Sequence, residues 1–257
     1  MSVDGVAVIG YEHNRDTGVA RLSFGRPADG NTLDLDTARA LDERVQSAIT
    51  EGARVLHLDA TGKLFCGGGD VQAMTNADDP ARYTFELAST VHRALLRIAE
   101  SDLLFVCAVQ GAAAGAGFST VLNADYVVAS DRASFLAAYL TLGVTPDGGG
   151  SYLLPRVVGK TRASEMLLGG RKLDAATAQA WGVVNEVVAA ESLEERASEI
   201  ARTLASAPRQ AAAATKRMLA ESWLPGYREH LEREAASIGE LIVSSESRER
   251  QAMFLGR

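Results

Sequence analysis

Two glycine-rich segments and one aspartate are the places where this sequence could do chemistry. The first segment runs from Lys63 through Phe65, Cys66, Gly67, Gly68 and Gly69 to Asp70 and Val71. The second runs from Gln110 and Gly111 through Gly115, Ala116 and Gly117 to Phe118 and Ser119. Each follows an apolar stretch that reads as a strand and precedes a helical pattern. Free backbone N–H groups collect at such strand-to-helix turns and point toward a ligand oxygen, and small residues let a ligand approach the backbone closely. One N–H from each turn would make an oxyanion hole; each turn taken alone is equally a tight turn or a close helix–strand contact. The aspartate is Asp147, the single carboxylate between Ala133 and Arg156, set in Thr145-Pro146-Asp147-Gly148-Gly149-Gly150. It could be a proton carrier, or it could N-cap the helix that follows. A helix N-terminus would lower its pKa, and apolar walls would raise it.

Other chemistries lack their residues. Neither glycine segment completes GxGxxG. Gly159-Lys160-Thr161 resembles the end of a phosphate loop, but position 154 is Leu154. Gly117-Phe118-Ser119 starts like a nucleophile elbow, but position 121 is Val121. His13, His57, His92 and His230 share no metal-ligand spacing and read as polar or internally satisfied histidines. Cys66 and Cys107 form no CxxC, so neither a disulfide framework nor a structural zinc site is expected, and a reducing, cytoplasmic setting is. The net charge of −7 and the lack of a basic stripe argue against nucleic acid. Met1 to Tyr11 does not read as a signal peptide, and the apolar run Leu103 to Phe118 is too short and too interrupted to span a bilayer.

The elements that must position these residues follow from pattern and caps. At 257 residues with 47% hydrophobic content, one α/β unit with helical additions is expected. Val6–Tyr11 and Val19–Ser23 read as strands around an Asp16-Thr17-Gly18 turn. Asp34 or Asp36 caps a helix to about Glu51, with Leu35, Ala38, Leu41 and Val45 on one face. Strands at Arg54–Asp59, Leu104–Val109 and Tyr126–Ala129 alternate with a long helix over Asp79–Glu100, the pattern of a parallel sheet with crossover helices. From about Gly159 the chain reads as helical, over Thr161–Leu168, Asp174–Trp181, Glu191–Ala207, Gln210–Glu221 and Gly226–Ser244, with one strand at Val183–Val188.

Taken together, the two glycine segments and the Pro146-Asp147 segment resemble the crotonase (enoyl-CoA hydratase/isomerase) superfamily, from Arg26-Pro27 and Asn31 to the last helix with Phe254. The resemblance implies an α/β fold, a spiral of ββα units over residues 1–200, and a helical region over 201–257 used for trimerisation. It implies an acyl-CoA thioester as substrate, no further cofactor and no metal, with a homotrimer or dimer of trimers as the assembly. It places the oxyanion donors on Gly67 and Ala116, and substrate or CoA contacts at Arg26, Phe65, Cys66, Gly69, Asp70, Val71, Ser119 and Phe254. The ordinary hydratase carries two glutamates where this sequence has Ser119 and Tyr139. The Pro-Asp-Gly-Gly context resembles isomerase branches instead, which implies Asp147 as acid/base. Tyr139 could add a hydroxyl hydrogen bond and Ser119 could hold a water; a plain packing or surface role is open for both.

The expected reaction is therefore a double-bond shift in an enoyl-CoA, in which a proton is moved and no water is added. Two alternatives remain at the level of sequence: hydration or another crotonase reaction, and a non-catalytic acyl-CoA-binding subunit. The helix over Asp79–Glu100, with Tyr83 and Phe85, is expected to shape the acyl pocket. Met218, Leu219, Leu231 and Ile238 are expected to face other subunits.

Overall fold

A computed structural model describes residues 8–256. Six strands form the main sheet, in the order β1 (Ile9–Asn14), β2 (Val19–Phe24), β3 (Val55–Ala60), β4 (Leu104–Val109), β6 (Tyr126–Ser130) and β9 (Glu186–Val188). β1 and β2 form an antiparallel hairpin around Gly18; every other pair in this sheet is parallel. A smaller sheet joins β5 (Ala112–Ala114), β7 (Ser134–Leu136) and β8 (Leu173–Asp174). This mixed α/β architecture matches the expected fold. Of the strand expected at Val6–Tyr11, Val6 and Ala7 lie outside the described residues.

The parallel strands are buried on both faces, which is why they read as continuous apolar runs. On one face, Leu56, Leu58, Phe105, Cys107 and Val109 belong to the main core with α1 (Leu35–Thr50). On the other, Val55, Val106, Ala108 and Val128 pack against Ala197, Ile200 and Ala201 of a later helix. That helix, Leu193–Ser206, passes through residue 200, so the division expected there falls inside an element that is packed against the sheet.

Caps set the helix starts. Asp34 accepts from Thr37 N–H at the start of α1. Asp70 accepts from Ala73 N–H at the start of α2 (Val71–Asn76). Asp79 accepts from Arg82 N–H at the start of α3 (Pro80–Glu100), with Pro80 in the first turn, where its missing N–H does no harm. Then follow α4 (Ala116–Leu122), α5 (Gly150–Val158), α6 (Lys160–Leu167), α7 (Ala175–Ala180), α8 (Leu193–Ser206) and α9 (Arg209–Trp223). α10 (Tyr227–Leu241) and α11 (Ser245–Phe254) end the described chain. The sequence pattern had one helix running to Ser244; instead Ser244 is extended and caps α11 through Ser247 N–H. Leu231 and Ile238 of α10 are buried within the chain, whereas Met218 and Leu219 of α9 are exposed. α10 is thus part of the core, and the expectation of unburied apolar positions holds for α9 alone of the two.

Candidate active site

The two glycine turns are stitched together by backbone hydrogen bonds. Phe65 N–H and Cys66 N–H both donate to the Ala112 carbonyl, at 3.0 and 3.3 Å, and Ala114 N–H donates to the Cys66 carbonyl at 2.9 Å. A second bridge pairs Leu33 with Gly69. These bonds hold the first turn against the N-terminus of α4 and open a cavity of about 300 Å³ between them.

Gly67, Gly69, Asp70, Val71, Ala116, Tyr139, Asp147 and Phe254, eight of the residues singled out in the sequence, line that cavity. The other four do not. Phe65, Cys66 and Ser119 are fully buried behind its wall. Arg26 is turned away as an ion-pair hub: its guanidinium donates to Asp29, Asp34 and Thr37 and lies 3.9 Å from Asp70. The substrate or CoA contact expected of Arg26 is not made at this cavity; its guanidinium ties together the aspartates capping α1 and α2. The helix expected to shape the acyl pocket does line the cavity, but not through Tyr83 and Phe85. Thr84, Leu87, Ala88 and Val91, spaced along one face of α3, line the cavity. Tyr83 instead accepts from Leu35 N–H, and Phe85 is exposed on the far side of the helix. The 3–4 spacing of 84, 88 and 91 was the available signal for the correct face.

The two expected oxyanion donors differ. Ala116 is the first residue of α4, and its N–H has no backbone acceptor among the described residues. Such an orphan donor at a helix start, on a residue that lines the cavity, suits an anionic oxygen. Gly67 N–H, by contrast, donates to the Gly30 carbonyl at 3.0 Å. In this structure the donor of the first turn is engaged, not free.

Asp147 sits in the cavity wall, 7% exposed, just before α5. It does not cap that helix: Gly149 holds the cap position and no side chain of its own closes it. The aspartate-cap alternative is therefore set aside. Tyr139 donates its hydroxyl to Asp147 Oδ1 at 2.7 Å, and Ser119 Oγ lies 2.8 Å from the same hydroxyl. Burial drives the Asp147 carboxyl up from 3.8 to about 7; the Tyr139 hydrogen bond holds it lower than burial alone would, and the charge of Glu234 adds to the rise. The lowering expected from a helix N-terminus is thus overcome by desolvation. Tyr139 itself is pushed well above 10.0 by burial and by Asp147, so it stays a hydroxyl donor.

The turn after Asp147 explains why position 119 carries a short side chain. Gly148 and Gly149 adopt φ of +63° and +81°, conformations that glycine reaches without a Cβ clash. A Cβ on Gly148 would lie 2.8 Å from Ser119 Cβ, and one on Gly150 would lie 2.6 Å from Ser119 Oγ. The turn lies directly on Ser119, so a carboxylate as long as glutamate has no room there. Two residues missed by the sequence reading secure the turn from behind. His92 Nε2 accepts from Gly148 N–H at 2.8 Å, and Glu234 Oε2 accepts from Gly149 N–H at 2.7 Å.

Comparison with known proteins decides the family. Residues 14–257 match the model of the enoyl-CoA hydratase/isomerase family. This chain belongs to that family. It is 35% identical to the 1,2-epoxyphenylacetyl-CoA isomerase of Escherichia coli (strain K12) over 198 residues, covering 75% of each chain. It is 33% identical over 252 residues to 4-chlorobenzoyl coenzyme A dehalogenase-1 of an Arthrobacter species, covering 96% of this chain and 90% of that one. Among solved structures, an enoyl-CoA hydratase from Mycobacterium avium subsp. paratuberculosis K-10 superposes with a TM-score of 0.88 at 30% identity, covering 98% of this chain and 97% of the other. The crotonase-type fold and an acyl-CoA enzyme family are thereby established. No helix among the described residues is long and apolar enough to cross a membrane.

Proposed function

We propose that this enzyme moves a double bond along the acyl chain of an enoyl-CoA, with Asp147 as the single acid/base. The observation that carries this reading is the Asp147 carboxyl itself: buried in the cavity, fixed by Tyr139, and raised to about 7. A carboxyl near neutrality is populated both as base and as acid, which is what a proton shuttle needs. The thioester oxygen lies against Ala116 N–H, and Gly67 N–H joins it by exchanging its bond to the Gly30 carbonyl for the thioester oxygen. Asp147 removes a proton from C2 of a 3-enoyl-CoA. The electron pair spreads over the dienolate, and the carboxylic acid returns the same proton at C4, leaving a 2-enoyl-CoA. Hydration is disfavoured, because the carboxylates that would handle water are replaced by Ser119 and Tyr139, whose hydroxyls are turned to each other and to Asp147. The likeness to the Escherichia coli 1,2-epoxyphenylacetyl-CoA isomerase supports isomerisation over hydration.

The test is a panel of enoyl- and dienoyl-CoAs in deuterated water, read by mass spectrometry, on the parent and on Asp147→Asn. The expected result is acyl-chain isomerisation by the parent, slow hydration of crotonyl-CoA, and turnover reduced by roughly two to four orders of magnitude in Asp147→Asn. Fast hydration with no isomerisation overturns the reading, and acyl-CoA binding with no exchange on any chain favours a non-catalytic binding subunit. We further propose a trimer or dimer of trimers, supported by the exposed Met218, Leu219 and Trp223 of α9; a monomer in sedimentation at micromolar concentration counts against it.

A further inference from the structure

Glu234 is a buried carboxylate, 5% exposed, on α10, and it does not line the cavity. Both of its oxygens face the turn that follows Asp147. Oε2 accepts from Gly149 N–H at 2.7 Å; Oε1 accepts from Ser151 N–H at 3.1 Å and from the Ser151 hydroxyl at 2.5 Å. These are the unpaired donors at the start of α5, so Glu234 supplies from another helix the cap that α5 lacks. His92 on α3 takes the remaining amide of the turn, Gly148 N–H, with Nε2 at 2.8 Å. Its imidazole is neutral near pH 7, because burial lowers it to about 4. The carbonyl side of Gly148 is held by Asn123 Nδ2 at 3.0 Å. Four bonds to the backbone from three residues, His92 on α3, Asn123 just past α4 and Glu234 on α10, thus fix the turn that follows Asp147.

We propose that Glu234 and His92 are positioning residues for Asp147: by holding the Gly148–Ser151 turn they fix where the carboxyl stands against the acyl chain. This inference rests on the acid/base reading of Asp147. The groups facing Glu234 are Ser151 and His230, with His230 Nε2 at 3.4 Å, and Asp147, Tyr139, Tyr227 and His92 feel its charge. The groups facing Asp147 are Tyr139 and, through Tyr139, Ser119; the Cys66 thiol feels its charge.

Glu234→Gln preserves shape but turns an –NH₂ toward one of two N–H donors, so one anchor is lost whichever way the amide sits. The expected result is a fall in kcat of about 10- to 100-fold, the order seen when a reacting group is slightly misplaced. KM should stay within about two-fold, since Glu234 does not touch the cavity. The limb of the pH–kcat profile that reports Asp147 should move to lower pH, because a charge that favours the protonated form is gone. In the Asp147→Asn background, Glu234→Gln should change kcat no further. A folded Glu234→Gln enzyme with parent kcat and parent pH limb, beside an inactive Asp147→Asn enzyme, overturns the positioning role alone. An active Asp147→Asn enzyme overturns the acid/base reading and this inference with it. If Glu234→Gln melts below the assay temperature, His92 decides: His92→Phe should lower kcat and His92→Gln, which keeps an acceptor, should retain more of it. Equal rates in those two variants overturn the proposal.

Discussion

Tyr139 and Asp147 are joined by a hydrogen bond of 2.7 Å from the tyrosine hydroxyl to Asp147 Oδ1, and Ser119 backs the same hydroxyl at 2.8 Å. A hydroxyl has one proton. With it given to the carboxylate, Ser119 must be the donor to Tyr139, so the bonds run in one direction toward Asp147. The two positions that carry glutamates in the ordinary hydratase are therefore hydrogen-bonded toward the aspartate here, and of these three side chains Asp147 alone is a carboxylate.

Replacing Tyr139 by Phe removes the bond that holds the Asp147 carboxyl down. Asp147 should then titrate at higher pH than in the parent, and the limb of the pH–rate profile that reports its ionisation should move up by a fraction of a unit to about one unit. Each unit corresponds to about 1.4 kcal/mol of differential stabilisation. Turnover at pH 7 should fall, with part of the loss recovered at pH 8. A profile that keeps its parent midpoint would show that Tyr139 does not act on Asp147.

Asp147 also makes a prediction about stability. Its pKa is about 7 folded, against a reference of 3.8, so the folded state holds this proton over a range where the unfolded chain has lost it. The associated stability is present below the unfolded value and is lost as pH rises through 7. Asp147→Asn carries no such charge. It should melt above the parent at pH 8, by up to about 4 kcal/mol on conversion of the shift, and the gap should close toward pH 4. His92 acts in the opposite sense, because its pKa is lowered to about 4 from 6.5 and the unfolded chain binds more protons as pH falls. That contribution is common to both proteins and cancels in the comparison. Denaturant melts at pH 4, 6 and 8 would decide it; equal stability at pH 8 would contradict the raised pKa.

Ser119→Glu tests whether the hydratase glutamate was merely exchanged or has been built out. A Cβ on Gly150 would already lie 2.6 Å from Ser119 Oγ, so a longer side chain must displace the turn that carries Asp147. Overpacking a buried position costs about 1–3 kcal/mol, and an unpaired buried carboxylate adds to that. The variant should be less stable, lose isomerisation and gain no hydration. Hydration of crotonyl-CoA at a rate near that of an ordinary hydratase would show that the turn can yield.

The parts of this molecule that were legible in the sequence are the ones set by neighbours along the chain. Asp34 and Asp79 announce their helices because a cap acts over three residues, and β4 reads as a two-sided core strand because both faces are apolar. The glycine turns and Asp147 were visible from type and spacing. What stayed hidden depends on residues far apart in sequence. His92 and Glu234 looked like ordinary helix residues; their importance appears only when α3 and α10 meet at the Gly148–Ser151 turn. Arg26 beside Pro27 was expected among the substrate or CoA contacts, but the fold brings Asp29, Asp34 and Asp70 around it. The bond from Gly67 N–H to the Gly30 carbonyl was equally out of reach, since no local pattern encodes which carbonyl a turn amide meets.

That last bond makes Ala116 the sharper test of the oxyanion hole. Ala116 lines the cavity and its N–H has no backbone acceptor among the described residues, whereas the Gly67 N–H is bonded to Gly30. Ala116 is also the first residue of α4, where proline is well tolerated because the helix does not use that N–H. Ala116→Pro therefore deletes the donor while leaving the helix start intact. Loss of one oxyanion donor costs on the order of 3 kcal/mol in the transition state, so kcat should fall by about two orders of magnitude or more with little change in melting temperature. The proline ring could also crowd the acyl chain, which would appear as a higher KM. Ala116→Val controls for this, because it adds bulk at the same place and keeps the N–H. A proline variant that matches the valine variant in kcat would remove Ala116 from the hole and leave the thioester oxygen to the Gly67 turn alone. A valine variant with near-parent kcat beside a slow proline variant would place the developing charge on the Ala116 amide.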